Sequence, residues 1–238
     1  MTSTNVTLAD DVARLAELGA RGPDVGVKDV REAIVLVKDV FTTLMLADHH
    51  PARGVRALTT KFRDAGRRSP PWRPTSSRVP GRPQDGADGN RITRWLLPKD
   101  HKFYAHEISA TLVEVKYYLQ ALSMKAAPIL PNKASSTAFE WLLEHPVEPG
   151  RYLDPVQLVD IDIREVVKEP RTIQSGHLVP LDRGGRHEPD NAFLMLKDSN
   201  DLQGSLTLDE LLALMQRILE RHHARKRKPR RPESKSGG

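Results

Sequence analysis

Residues 28–47, KDVREAIVLVKDVFTTLMLA, place Val30, Ile34, Val37, Phe41 and Leu44 at helical spacing, with Ala33, Val40 and Met45 widening the stripe. A run of that length and period buries one face only as an α-helix, so most of the fold is predicted to be helices around a shared core. The period returns in HEISATLVEVKYYLQALSM (106–124), where Ile108, Leu112, Val115, Leu119 and Leu122 are predicted to face inward. It returns again in TLDELLALMQRILERHH (207–223), with Leu208, Leu211, Leu212, Met215 and Ile218 on one face. Thr207 and Glu210 form a capping-box pattern that starts this last helix, and its apolar face predicts docking onto the body. Shorter helices are predicted over 10–20 and in STAFEWLLEH (136–145), and a short strand in ITRWLLP (92–98).

The period breaks in RDAGRRSPPWRPTSSRVPGRPQDGADGN (63–90), which is rich in Pro, Arg, Gly and Ser and reads as a linker. The predicted organisation is a helical region (1–62), the linker (63–92), a helical middle region (93–150), a C-terminal module (151–223) and a basic tail (224–238). The chain has 238 residues, no cysteine and a formal net charge of +6. The absence of cysteine excludes disulfides and thiolate zinc sites, so a bound metal needs His, carboxylate or amide ligands, and a hard ion such as magnesium suits that set. No apolar run spans a bilayer and the first residues lack the pattern of a secretory signal, so a soluble cytoplasmic protein is expected. The positive charge is concentrated in linker and tail and fits a polyanionic partner as well as it fits two solvated arms. Trp72 in the linker is read as a base-stacking residue or a docking anchor, and Arg91, Arg94, Lys99 and Lys102 beyond it as a phosphate track or, each taken singly, a solvated face. The pairs His49-His50 and His222-His223 are not read as metal sites, since adjacent histidines do not share a helix face.

The densest chemistry lies in SGHLVPLDRGGRHEPDNAFLMLKDSNDLQG (175–204). TIQSGHLVPL predicts an extended segment ending near His177, and DRGGRHEPD a polar loop shaped by Gly184 and Gly185. NAFLML predicts a second strand beginning at Asn191, and KDSNDLQG a short helix carrying Asp198 and Asn200. Strand, loop, strand and helix together are expected to bring His177, Asn191 and Asn200 to one place.

That pattern resembles the HNH nucleases of the His-Me finger class: His177, an apolar pair and Pro180, the Gly184-Gly185 loop, Asn191 fourteen residues after the histidine, and Asn200 nine further on. The resemblance covers about thirty residues of motif. It implies an α+β, mostly helical chain with a C-terminal ββα-metal finger and a terminal helix. It also implies a DNA endonuclease of restriction or phage-defence type, with His177 as general base, Asn191 pinning its loop and Asn200 as a metal ligand. Magnesium or manganese would be the ion, DNA the partner, and a homodimer compatible with cutting both strands. The chemistry agrees, because a neutral imidazole can deprotonate water at cellular pH and a divalent ion can stabilise charge on the phosphate. Arg183, Arg186, His187 and Lys197 are the expected nucleic-acid contacts. One position departs from the family, which places a metal-binding Asp immediately before the histidine where this chain has Gly176. Asp198 is the first candidate to replace it, with Asp182, Asp160, Asp162 and Glu165 behind; the alternative is an ion held more weakly by Asn200, water and substrate phosphate only. The competing readings are a catalytically impaired finger that only binds DNA, and a toxin-like nuclease acting on RNA.

Overall fold

The structure, a computed structural model, describes residues 3–70 and 91–227. Helix accounts for 59% of it, with one small antiparallel sheet, so the chain is mostly helical α+β. Three long helices come first: α1 (Ser3–Gly19), α2 (Val27–Ala47) and α3 (Ala52–Gly66). α2 and α3 pack on α4 (Glu107–Leu122) while α1 packs on α2, and the short helices α5 (Lys133–Thr137), α6 (Glu140–Leu143) and α7 (Ile163–Lys168) follow. Strands β1 (Ile173–His177) and β2 (Ala192–Leu196), then α8 (Lys197–Gln203), form a ββα unit, and α9 (Leu208–Arg227) ends the described chain.

The stripe predicted on α2 is the core face, with Val30, Ile34, Val37, Phe41 and Met45 buried. Phe41, Phe62 and Tyr118 meet edge to face at ring-centroid separations of 5.1–5.9 Å, locking α2, α3 and α4 together. Helix α4 departs from the amphipathic expectation, since every residue from Ala110 to Leu122 is buried. Neighbours cover all its sides, and its polar residues therefore serve as pins. Glu114 takes the guanidinium of Arg67, and Gln120 accepts the backbone N–H of Leu194 at 3.0 Å. Desolvation outweighs Arg67 at Glu114 and leaves its carboxyl raised above the usual range.

Helix α3 was not anticipated. Its apolar positions Val55, Leu58 and Phe62 stand among basic and polar residues, and two glycines let it approach its neighbours closely. A Cβ at Gly54 would lie 2.1 Å from the Val167 carbonyl oxygen, and one at Gly66 would lie 2.6 Å from the Glu114 Cβ. The strand expected in ITRWLLP is instead a single bridge from Thr93 to Arg68 followed by a 3-10 turn, Arg94–Leu96. The reason is Arg94, whose buried guanidinium donates to the carbonyls of Gly66, Ala65 and Phe103 at 3.0–3.3 Å and so caps α3.

Of the predicted linker, residues 63–66 complete α3, and residues 71–90, including Trp72, lie outside the described residues. Of the predicted tail, 224–227 form the last turn of α9 and the remainder lies outside the described residues. The capping box forms as read, with the Thr207 N–H donating to Glu210 Oε2 at 2.9 Å and the Glu210 N–H to Thr207 Oγ1 at 3.3 Å. Docking of α9 does not follow from it. Leu211 is buried, but Leu212, Met215, Ile218 and Leu219 are 40–52% exposed, because the helix leaves the body after its first turn. Among the described residues, no helix is long and apolar enough to cross a membrane.

Candidate functional site

β1 and β2 pair antiparallel with Ile173 opposite Leu196 and His177 opposite Ala192. Strand alternation turns Ile173, Ser175 and His177 to one face of the ribbon and Gln174 and Gly176 to the other. Ile173, Ala192 and Leu194 join the main core beneath α4, whereas α8 lies against the opposite face. Several side chains hold the finger in place. Asp154, fully buried, accepts from the backbone N–H groups of Val156, Gln157 and Leu196 and from Ser199 Oγ at 2.7–2.9 Å, which ties the end of β2 and the start of α8 to the preceding loop. Gln203 donates from the end of α8 to the carbonyls of His177 and Leu178 at 2.9 and 3.1 Å. Tyr152 donates to the Leu194 carbonyl.

Asn191 closes the loop beyond His177. Its Oδ1 accepts the Val179 N–H at 2.8 Å, and its Nδ2 donates to the carbonyls of Val179 and Arg186 at 3.0 and 2.8 Å. The two loop glycines act for different reasons. Gly184 adopts φ +84°, while a Cβ at Gly185 would sit 2.0 Å from the Val179 carbonyl oxygen.

His177 Nε2 lies 2.9 Å from His187 Nδ1, and His187 Nε2 lies 2.7 Å from the Gly66 carbonyl at the end of α3. His187, expected on the nucleic-acid surface, is 0% exposed and faces the base candidate instead. Burial, assisted by the Arg94 charge, lowers the His177 pKa to about 4 and holds His187 well below the ordinary imidazole range, so both rings are neutral near pH 7. Burial lowers Arg94 only to about 10, which leaves its charge in place. Among the described residues His177 Nδ1 has no hydrogen-bond partner, and it is not a buried orphan.

The expected metal ligands do not converge. Asn200 is on the α8 face, its Nδ2 donating to Gln174 Oε1 at 2.6 Å, whereas His177 is on the other face. Asp198 is exposed and stands two residues from Asn200, a spacing that turns it to the far side of the helix. The remaining acids are committed elsewhere: Asp182 to Lys102 at 2.6 Å, Asp160 to Lys125 at 3.2 Å, Asp162 as the α7 cap, and Glu165 to Lys168 at 2.8 Å. A Cβ at Gly176 would lie 3.0 Å from Asn200 Oδ1, so position 176 points where an acid would meet Asn200, but Met195 fills the space, its Cε 2.4 Å from that Cβ. Among the described residues no group of three His, Asp or Glu side chains is placed to hold a metal.

Two clefts with basic linings flank the finger. One, of about 410 Å³, is lined by Lys61, Arg68, Arg91 and Arg94 beside Gln174 and Ser175 of β1, with Asp64 in the same lining 3.5 Å from both Arg68 and Arg91. The other, of about 460 Å³, has Lys99, Lys102, His101 and His106 facing Arg186 across the glycine loop. Of the other expected contacts, Arg186 is largely exposed, Arg183 pairs with Glu210, and Lys197 pairs with Asp201.

No family model matches the chain, and no curated protein matches it. Among solved structures it is similar to one described as a type II restriction endonuclease, at 20% identity and a TM-score of 0.44. The match covers 56% of this chain and 62% of that one, so the chain spans less than two thirds of that neighbour.

Proposed function

We propose that this chain is a DNA endonuclease of the HNH type, acting in restriction or phage defence, with His177 as the general base. The observation that carries the reading is the Asn191 carboxamide, which makes three hydrogen bonds across the loop that follows His177, as a residue pinning a catalytic loop must. A positioned base contributes up to roughly 10²- to 10⁴-fold in rate, and less than that where burial lowers its pKa to about 4, as it does at His177. His177 takes the proton of an attacking water, the oxygen of that water bonds to phosphorus, and the P–O bond breaks with its electron pair on the leaving oxygen, which takes a proton from solvent. The cleft lined by Lys99, Lys102 and Arg186 supplies positive charge that suits a phosphate backbone, and the one lined by Lys61, Arg68 and Arg91 retains a net positive charge after Asp64 is counted.

Magnesium or manganese was expected at Asn200 and Asp198. The donors beside Gly176 are two carboxamides already bonded to each other and a thioether, and a hard divalent cation is not held by that set alone. No step is therefore assigned to an ion. This favours a second reading, in which the finger binds nucleic acid without cutting it.

Supercoiled plasmid incubated with the protein and magnesium or manganese, beside His177→Ala and an EDTA control, tests the first reading, and a structured RNA in parallel tests the substrate. Cutting that requires His177 supports the enzyme, and the EDTA lane reports whether an ion is needed. Intact DNA across several substrates, with DNA binding retained, selects the second reading. A homodimer is part of the proposal, because antiparallel pairing of two α9 helices covers Leu212, Met215, Ile218 and Leu219 and sets the acidic Asp209 end against the basic Arg221–Arg225 end.

A further inference from the structure

We infer that His187 is a positioning residue for His177, fixing the ring tautomer that leaves Nδ1 bare and tying that ring to the C-terminal turn of α3. The inference rests on the proposal that His177 is the base. The order of protons follows from one end of the chain of contacts. The Gly66 carbonyl can only accept, so His187 carries its proton on Nε2, 2.7 Å away. A neutral His187 then presents a lone pair at Nδ1, and His177 Nε2, 2.9 Å distant, must donate to it. His177 is left with its basic nitrogen at Nδ1, which has no hydrogen-bond partner among the described residues. The opposite order would aim a lone pair of His187 at the Gly66 oxygen inside a fully buried contact.

The surroundings hold that order. The Gly66 oxygen also accepts Arg94 Nε at 3.0 Å, so it is fixed from two sides, and Gly66 admits no side chain because Glu114 occupies the space. The Arg94 charge acts on both rings and opposes an added proton on either. On the loop side, Asn191 Nδ2 grips the Arg186 carbonyl, one residue before His187, at 2.8 Å. One carboxamide thus sets both the loop after the base and the residue that orients the base.

The test is the tautomeric state of His177, read by two-dimensional ¹⁵N–¹H spectra of full-length protein with labelled histidine and assigned with His177→Ala. The expected spectrum has His177 and His187 both protonated at Nε2 and bare at Nδ1. His187→Leu should release His177 into a mixture of tautomers and slow plasmid cutting about 10- to 100-fold with DNA affinity unchanged. His187→Asn, which returns an acceptor to that site, should restore part of both. A wild-type His177 protonated at Nδ1 overturns the inference, as does a folded His187→Leu protein with an unchanged tautomer and rate. If His187→Leu does not fold, the wild-type spectrum decides alone. The expected tautomers in a chain that cuts no nucleic acid would support the histidine pair and overturn the base assignment.

Discussion

Replacing Gly176 by Asp restores a carboxylate at the position that points to Asn200, and its consequences can be worked from the contacts. The new Cβ meets Met195 Cε at 2.4 Å and Sδ at 2.5 Å, which is the movable end of a flexible side chain, and Asn200 Oδ1 at 3.0 Å. Overpacking of this kind costs about 1–3 kcal/mol. For a chain of this size each kcal/mol moves Tm by about 2–4 °C, so without metal the variant should melt roughly 2–12 °C below wild type. A carboxylate beside Asn200 gives a divalent ion an anionic ligand, and an ion present at about 100 times its Kd stabilises by about 2.7 kcal/mol, recovering about 5–11 °C. The assay is thermal unfolding of wild type and Gly176→Asp across a manganese and magnesium titration, followed by plasmid cutting with the same samples. The wild type should show no ion-dependent rise in Tm. A folded Gly176→Asp protein that is equally indifferent to both ions would refute the assignment of position 176 as the ligand position. So would a wild type that gains as much as the variant. If the single variant does not fold, Met195→Ala added to it makes the room.

Further outcomes follow from the same geometry. Asn191→Ala removes three hydrogen bonds and should cost about 1–3 kcal/mol, with faster hydrogen exchange confined to residues 178–190 and a loss of cutting out of proportion to the loss of stability. His177 and His187 are held neutral, so the unfolded chain binds more protons below its pKa of 6.5. Their contribution to stability is complete above pH 6.5 and is lost as pH falls toward about 4, the folded value of His177, which urea midpoints at pH 7.5, 5.5 and 4.5 would measure. His177→Asn should flatten that profile, and an equal slope in the variant removes the histidine pair as its cause. Leu212→Glu with Leu219→Glu should convert a dimer to a monomer by light scattering and leave nicking without double-strand cuts; a monomeric wild type at tens of micromolar refutes α9 pairing.

What could be read in the sequence divides by the distance over which each residue acts. Thr207 and Glu210, three residues apart, form the cap that their pattern predicts, and the α2 stripe buries the side chains that its period selects. Asn191 reaches only twelve residues back to Val179, within one strand-loop-strand unit, so its place in the pattern survives in the fold. His187 could not be read this way: beside Glu188 in a polar loop it has every mark of a surface residue, and it is buried where its Nε2 meets a carbonyl 121 residues earlier in the chain. Glu114 and Gln120 look like the wet face of α4, and only Arg67 and the Leu194 N–H explain why they are inside. The Arg-rich face of α3 hid the apolar positions on which that helix packs, and the close approach at Gly54 and Gly66 is seen only once Val167 and Glu114 are in place against them. Gly176 falls between these cases. The missing acid is visible in the sequence, but the replacement is not, because Met195 belongs to the partner strand and its side chain enters the gap only once β1 and β2 have paired. A departure from a motif therefore reports a loss at one position, and whether function went with it depends on which neighbour fills the space.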